Sequence, residues 1–328
     1  MIERPARKYA LTAWTITDGK KGMEVQVEGV ARALGLDHSA KRVAPRGPWR
    51  WLAPWIGPDP GERFRSEGSQ FSPPWPDIAL ATGRLSVPAL RAVRKASPET
   101  VTVVIQDPRT GCGTADLIAV PAHDRLEGEN VIKTLTAPHG FSPARLAKAR
   151  KSVPRDIAAL PGRKVVVVLG GPNSVYGFTE DDSRALADAL SSVAQHDTSF
   201  LVTVSRRTPE HALAAVREAL ANTPHIVWSG GGDNPYEAWL AHGDHFIVTA
   251  DSVNMTGEAC ITGKPVHVFH PRGGSGKFSR FHENLRRYGA TKPLPARMDE
   301  LESWTYAPLD SASQIADEIR RRWPKFAP

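Results

Sequence analysis

Short apolar runs alternate with amphipathic stretches along the whole chain. Residues 10–16 are the first apolar run, and the turn Asp18-Gly19-Lys20-Lys21-Gly22 follows it. Val27, Val30, Ala31 and Leu34 then recur at helical spacing, which predicts a helix over 24–34 closed by Gly35. Residues 77–82, 101–105, 116–120 and 130–135 read as further short strands, with a helix over 87–95 between two of them. A peculiar insert, about 45–76, interrupts this alternation. It holds Trp49, Trp51, Trp55 and Trp75 among many prolines and is too proline-rich for a regular helix or a central strand. Residues 141–160 read as a basic helix followed by a linker with Pro154 and Pro161. The alternation then resumes, with strands over 164–169, 200–204, 225–228, 245–249 and 265–269. Helices are expected over 180–193, 210–220, 235–240, 252–262, 278–288 and 311–322.

Strands that alternate with helices require crossovers, hence parallel sheets. The expectation is an α/β chain of two Rossmann-like domains, 1–158 and 159–328, with a cleft between them. The last helix is expected to pack back on the first domain. The length of 328 residues fits two such domains.

Composition changes this picture in three places. The net charge of +7 is uneven: residues 1–158 hold 24 Lys/Arg against 16 Asp/Glu, or +8, and residues 159–328 hold 18 against 19, or −1. A basic surface on the first domain suits anionic lipid, a phosphorylated acceptor or nucleic acid, yet no nucleic-acid-binding signature is present. The cysteines, Cys112 and Cys260, have neither disulfide nor zinc-site spacing. No run reaches the roughly 18–20 apolar residues of a membrane span, and the basic start, Met1 to Tyr9, lacks the pattern of a signal peptide. A cytoplasmic protein is expected, peripheral on the inner membrane if the insert binds lipid. Trp49, Trp51, Trp55, Arg46 and Arg50 are the candidates for that contact, and packing of the tryptophans as a flap is the alternative.

Four segments carry candidate chemistry. Asp18, at the tip of the first strand, is placed as a catalytic base would be, and an ordinary turn residue fits the same position. Gly170-Gly171-Pro172-Asn173-Ser174 ends a strand as phosphate-binding loops do. Ser205-Arg206-Arg207-Thr208-Pro209 puts two guanidinium groups between a strand and a helix, suited to a diphosphate or to a solvated loop. Asp251 and Ser252 begin a helix that carries Met255 and, among apolar neighbours, Glu258. An acid so placed needs hydrogen-bond donors, and ribose hydroxyls would supply them. Gly273-Gly274-Ser275-Gly276-Lys277 is not a P-loop, because Pro271 and Phe278 occupy required positions. His242-Gly243-Asp244-His245 has no standard metal spacing, and no metal site is expected.

The chain resembles the family named after a plant mitochondrial fission factor, the "elongated mitochondria" proteins. The resemblance rests on Asp18 to Gly22 with Gln26, Gln106-Asp107-Pro108-Arg109, Pro121-Ala122-His123-Asp124, Leu169-Gly170-Gly171, Ser205 to Pro209, Asn234-Pro235-Tyr236, and Thr249 to Ser252 through Glu258 to Pro265. That family is similar in turn to GT-B glycosyltransferases, including the enzyme that adds N-acetylglucosamine to a lipid-linked peptidoglycan precursor. The resemblance implies a metal-independent, inverting transfer of sugar from a nucleoside-diphosphate sugar to an acceptor, with no bound cofactor. It implies that Glu258 holds the ribose, that Gly170, Gly171, Ser174, Ser205, Arg206, Arg207, Asn234, Asp251, Ser252 and Met255 surround the donor, and that Asp18, His123, Asp124 or Asp107 is the base. A nucleotide-sugar epimerase and a non-catalytic interaction protein are the rival readings.

Overall fold

A computed structural model describes residues 10–327, so the basic segment Met1 to Tyr9 lies outside the described residues. The chain divides into two units. One runs to Gly140 and is completed by the C-terminal segment from Ser311, and the other is Phe141–Asp310.

The first unit is built as β1 (Thr12–Thr17), α1 (Lys21–Leu34), β2 (Asp37–Arg42), α2 (Gly47–Leu52), β3 (Ile78–Thr82), α3 (Val87–Ala96), β4 (Val101–Ile105), β5 (Leu117–Pro121) and β6 (Val131–Thr134). All six strands run parallel in the order β2-β1-β3-β4-β5-β6. Both faces of the sheet are covered, so its strands are continuously apolar. Ile78 and Leu80 face α1 and the C-terminal helix, Ser311–Arg322, whose Ile315 and Ile319 complete that core. Ala79 and Ala81 face α3 and part of the insert. Gly35 ends α1 in the left-handed region at φ 72°, where a side chain would clash with the backbone. β2 was not foreseen: its sequence, Asp37 to Arg42, is polar because it is an exposed edge strand.

The insert divides in two. Phe71 is buried, stacks on Phe64 at 4.4 Å and meets Trp14, which also packs against Trp75. Arg84 and Arg91 donate to the carbonyls of Ala53 and Pro54 and so tie the insert down. The remaining part does form a helix, α2, because its proline stands in the first turn, where no N–H is needed. Trp51, Leu52 and Trp55 project into solvent, 74, 50 and 59% exposed.

The second unit contains α4 (Pro143–Ala149), α5 (Arg155–Ala158), β7 (Arg163–Leu169), α6 (Glu180–Val193), β8 (Thr198–Val204), α7 (Glu210–Ala219), β9 (His225–Trp228), α8 (Tyr236–His242), β10 (His245–Thr249), α9 (Val253–Cys260), β11 (Val266–Phe269), α10 (Gly276–Tyr288) and β12 (Thr291–Pro293). Its six parallel strands have the order β12-β11-β10-β7-β8-β9. Val165, Val167, Phe200 and Val202 pack under α6 and α7 through Leu186, Leu190, Ala212 and Val216. The unit starts at 141 rather than at the expected 159. Ser142 caps α4 by accepting from the Arg145 N–H, and the Arg145 guanidinium donates to Glu237 of α8 at 2.7 Å. This ion pair joins α4 to the second unit, and a second short helix, α5, follows Pro154 where a linker was expected.

Candidate functional site

In a parallel sheet, ligands bind beyond the carboxyl ends of the strands, where the chain reverses its direction of progress across the sheet. In the second unit that point lies between β7 and β10, from which the chain proceeds outward to β8 and β9 on one side and to β11 and β12 on the other. The loops after these two strands carry Gly170-Gly171 and Asp251-Ser252.

Asp251 organises this point. Its carboxylate is fully buried and accepts from Gly171 N–H at 2.9 Å, Thr249 Oγ1 at 2.7 Å and Arg207 Nη2 at 3.1 Å. Arg207 also donates to the carbonyls of Gly171 and Pro172. The two glycines follow from this packing. A Cβ on Gly170 would lie 2.2 Å from the Asp251 carboxylate, and one on Gly171 would lie 2.1 Å from the Arg207 carbonyl oxygen. The Gly170 N–H donates to Thr249 Oγ1 at 2.8 Å, so both glycine amides are engaged within the protein. Gly170, Gly171, Asp251 and Arg207 thus form a structural clamp that shapes the loop. Thr249, which the family resemblance includes without giving it a role, is its centre, and an uncharged threonine on a buried strand gave no signal of that.

Around the clamp, Ser205 Oγ accepts from Arg207 N–H, and Thr208 Oγ1 donates to the Gly170 carbonyl. Arg206 is exposed beside them and has no partner among the described residues. Ser174 is exposed at the tip of the Gly-Gly loop, and Asn173 closes that loop by accepting from Val175 and Tyr176 N–H. Ser252 caps α9, accepting from Met255 N–H at 3.4 Å. The earlier amides of α9, at Val253 and Asn254, have no partner in their own helix and form an anion-attracting end.

Glu258 lies six residues beyond Ser252, about 9 Å along the axis. It is half-buried, and burial pushes its carboxyl up to about 7. The hydroxyl of Tyr236, which lies beside Glu258 short of full hydrogen-bond geometry, acts in the opposite direction, because a donor there favours the carboxylate. Tyr236 comes from the start of α8, which Asn234 initiates by accepting the Tyr236 N–H at 3.0 Å. The ring of Tyr236 packs edge-on against Phe141. The Asn234-Pro235-Tyr236 segment therefore positions a phenol whose hydroxyl is buried against a half-buried acid.

The four candidate bases lie at the carboxyl edge of the first sheet. Asp18, after β1, accepts Lys20 N–H and pairs with the Lys20 ammonium, as a turn-closing residue does. Asp107, after β4, accepts Arg109 N–H at 2.8 Å and is exposed. After β5, the largely buried His123 lies 3.8 Å from Asp124. β1 and β5 are three strand positions apart, or about 14 Å. Asp18 and the His123-Asp124 pair thus serve different parts of the edge. Between them lies an unforeseen polar link: Gln106, in the left-handed region at φ 77°, donates to Gln26 Oε1 at 3.1 Å. Gln26 is buried on the inner face of α1, an unusual place for an amide and the sign that could have found it.

Among the described residues no three His, Cys, Asp or Glu side chains converge as metal ligands, and no helix is long and apolar enough to cross a membrane.

This architecture has known relatives. A putative UDP-N-acetylglucosamine 2-epimerase from Listeria monocytogenes superposes with a TM-score of 0.58 and 11% identity, over 97% of this chain and 98% of that one. MurG from Acinetobacter baumannii superposes with a TM-score of 0.52 and 14% identity, over 95% of this chain and all of that one. The two parallel six-stranded sheets are therefore those of the GT-B fold, which transferases and epimerases share. In sequence, the chain is 34% identical over 271 residues to the mitochondrial fission protein ELM1 of Arabidopsis thaliana, matching 75% of this chain and 64% of the plant protein's length. The family model described as Mitochondrial fission ELM1 matches residues 21–323, and the chain belongs to that family.

Proposed function

We propose that the chain is a glycosyltransferase whose second unit binds a nucleoside-diphosphate sugar. Glu258 carries this reading. A carboxyl group raised to about 7 on the helix that starts at the sheet's reversal point is unfavourable for the empty protein. Two ribose hydroxyls donating to it would offset that cost. The start of α9 and the unpaired Arg206 supply the positive ends that a diphosphate leaving group needs, so the transfer is proposed to need no divalent cation. The Asp251 clamp holds the loop in shape and leaves the diphosphate to those groups.

The acceptor hydroxyl would be deprotonated at the carboxyl edge of the first sheet. His123 beside Asp124 is the better-formed base there, because Asp18 is occupied by Lys20. Trp51, Leu52 and Trp55, with Arg50 beside them, suit an anionic membrane surface and hence a lipid-linked acceptor. Arg46 has a different role: Asp59 takes its guanidinium in two hydrogen bonds of 3.0 and 3.1 Å.

The test is calorimetric titration of the wild type and Glu258→Ala with a panel of nucleotides and nucleotide sugars. Glu258→Ala should lower nucleotide affinity by about one to two decades. Unchanged affinity in the folded variant removes the ribose role. Product analysis with and without acceptor lipid separates transfer from epimerisation, and transfer should persist in excess EDTA.

A further inference from the structure

α8 precedes β10 and α9 follows it, and side chains from the two helices meet in a cluster of groups that carry exchangeable protons. Tyr236, the first residue of α8, lies beside Glu258 of α9, with Cys260 of the same helix nearby. Tyr306, from the segment between β12 and the C-terminal helix, lies on the other side of this cluster, beside Cys260 and Thr262. The hydroxyl oxygens of both tyrosines are sealed from solvent, and neither makes a hydrogen bond of full geometry.

Buried polar atoms are almost always satisfied, so the Tyr236 hydroxyl needs an acceptor. Its neighbours offer two. Cys260 is fully buried, and burial pushes its thiol up to about 12, so it stays a neutral thiol and a weak acceptor. Glu258 is the strong acceptor once it is ionised. Glu237, the other acid beside Tyr236 in the chain, is taken by Arg145 of α4.

Tyr236 is held in place as a donor. Burial and the Glu258 charge push its phenol well above the ordinary 10, so the proton stays on the oxygen. Its N–H is fixed by Asn234, and its ring stands edge-on to Phe141 with centroids 5.9 Å apart. Glu258 differs from it: the acid is half-buried and its oxygens are not sealed. The carboxyl group therefore has a fixed donor on the protein side while a ligand can still reach it.

We propose that Tyr236 is a positioning residue, a role that rests on the reading of Glu258 as the ribose-binding acid: its hydroxyl donates to one oxygen of the Glu258 carboxylate and leaves the other to the ribose. A glutamate side chain turns about three torsions, and one anchored oxygen removes most of that freedom before the ligand arrives. The same bond favours the ionised form, which is the form that accepts from ribose hydroxyls.

The experiment uses Tyr236→Phe in the full chain. Phenylalanine keeps the ring against Phe141 and removes only the sealed oxygen, so the variant should keep the unfolding temperature of the wild type at pH 5, where Glu258 is protonated. Carbon-13 NMR of glutamate labelled at the carboxyl carbon follows Glu258 through its titration, and its resonance is the one missing from Glu258→Gln. The wild-type midpoint should lie near 7, and Tyr236→Phe should raise it by about one unit or more, a tenfold gain in proton affinity. Calorimetric titration with ADP, GDP, CDP and UDP, which share the ribose and the diphosphate, gives the second readout. At pH 7 the tightest of them should bind Tyr236→Phe about tenfold more weakly than wild type, and the loss should shrink towards pH 9 and nearly vanish in a Glu258→Gln background. An unmoved Glu258 midpoint overturns the proposal. Unchanged affinity in Tyr236→Phe beside weakened affinity in Glu258→Ala overturns it too, and leaves the ribose reading standing. Unchanged affinity in Glu258→Ala, or no binding of any of the four, removes the ribose reading and this role with it.

Discussion

Replacing Glu258 with glutamine tests the electrostatics of the proposed donor site without any ligand. Burial raises this carboxyl from its ordinary 4.5 to about 7 in the folded protein. Below pH 4.5 it is protonated in both states and costs nothing. Between 4.5 and 7 the unfolded chain releases the proton while the folded protein keeps it. Stability therefore falls as pH rises through this window and levels off above it. At about 1.4 kcal/mol per pH unit, the full penalty is about 3 kcal/mol. Glutamine has nearly the same shape and does not titrate. Glu258→Gln should match the wild type near pH 4.5 and be more stable by about 3 kcal/mol at pH 8, or roughly 6–10 °C in Tm for a unit of this size. Thermal unfolding by circular dichroism, repeated from pH 4.5 to 8, follows the difference directly. The second unit should show it and the first should not. A difference between variant and wild type that stays constant with pH would refute the reasoning, because it would mean that the carboxyl is ionised throughout. The same variant should bind nucleotide less well at pH 8, so it gains stability as it loses function.

Two further predictions concern the clamp and the exposed tryptophans. Asp251→Ala should destabilise the second unit by about 1–3 kcal/mol, because it leaves the buried Gly171 amide and Thr249 hydroxyl without their acceptor, and urea unfolding will measure this; a loss well under about 1 kcal/mol would show that the clamp is not structural. The wild type should sediment with phosphatidylglycerol vesicles at low salt and be released as salt rises, and Trp51→Ser with Trp55→Ser should abolish binding while leaving Tm unchanged; wild type that stays in the supernatant removes the membrane reading.

What the sequence revealed follows from where each signal is stored. The strands of both sheets are buried on two faces, so their apolar runs stand out in the chain: Ile78 to Thr82 and Arg163 to Leu169 need no structure to be recognised. β2 has one exposed edge and a polar sequence, and β12 is three residues with a proline, so neither carries such a run. The unit boundary at 140 depends on the Arg145–Glu237 ion pair, between residues 92 apart in the chain, and no local pattern encodes it. The same holds at the candidate site. Glu258 was visible because an acid among apolar neighbours is a local anomaly. Gly170 and Gly171 were visible as glycines, but their purpose was not. Paired glycines at a strand end fit equally a loop that approaches a phosphate and a loop that approaches another part of the protein. Here the Cβ positions are taken by the Asp251 carboxylate and the Arg207 carbonyl. The space that glycine opens is filled from residues 81 and 36 positions away, and with both loop amides so engaged the proposed diphosphate site falls to Arg206 and the start of α9.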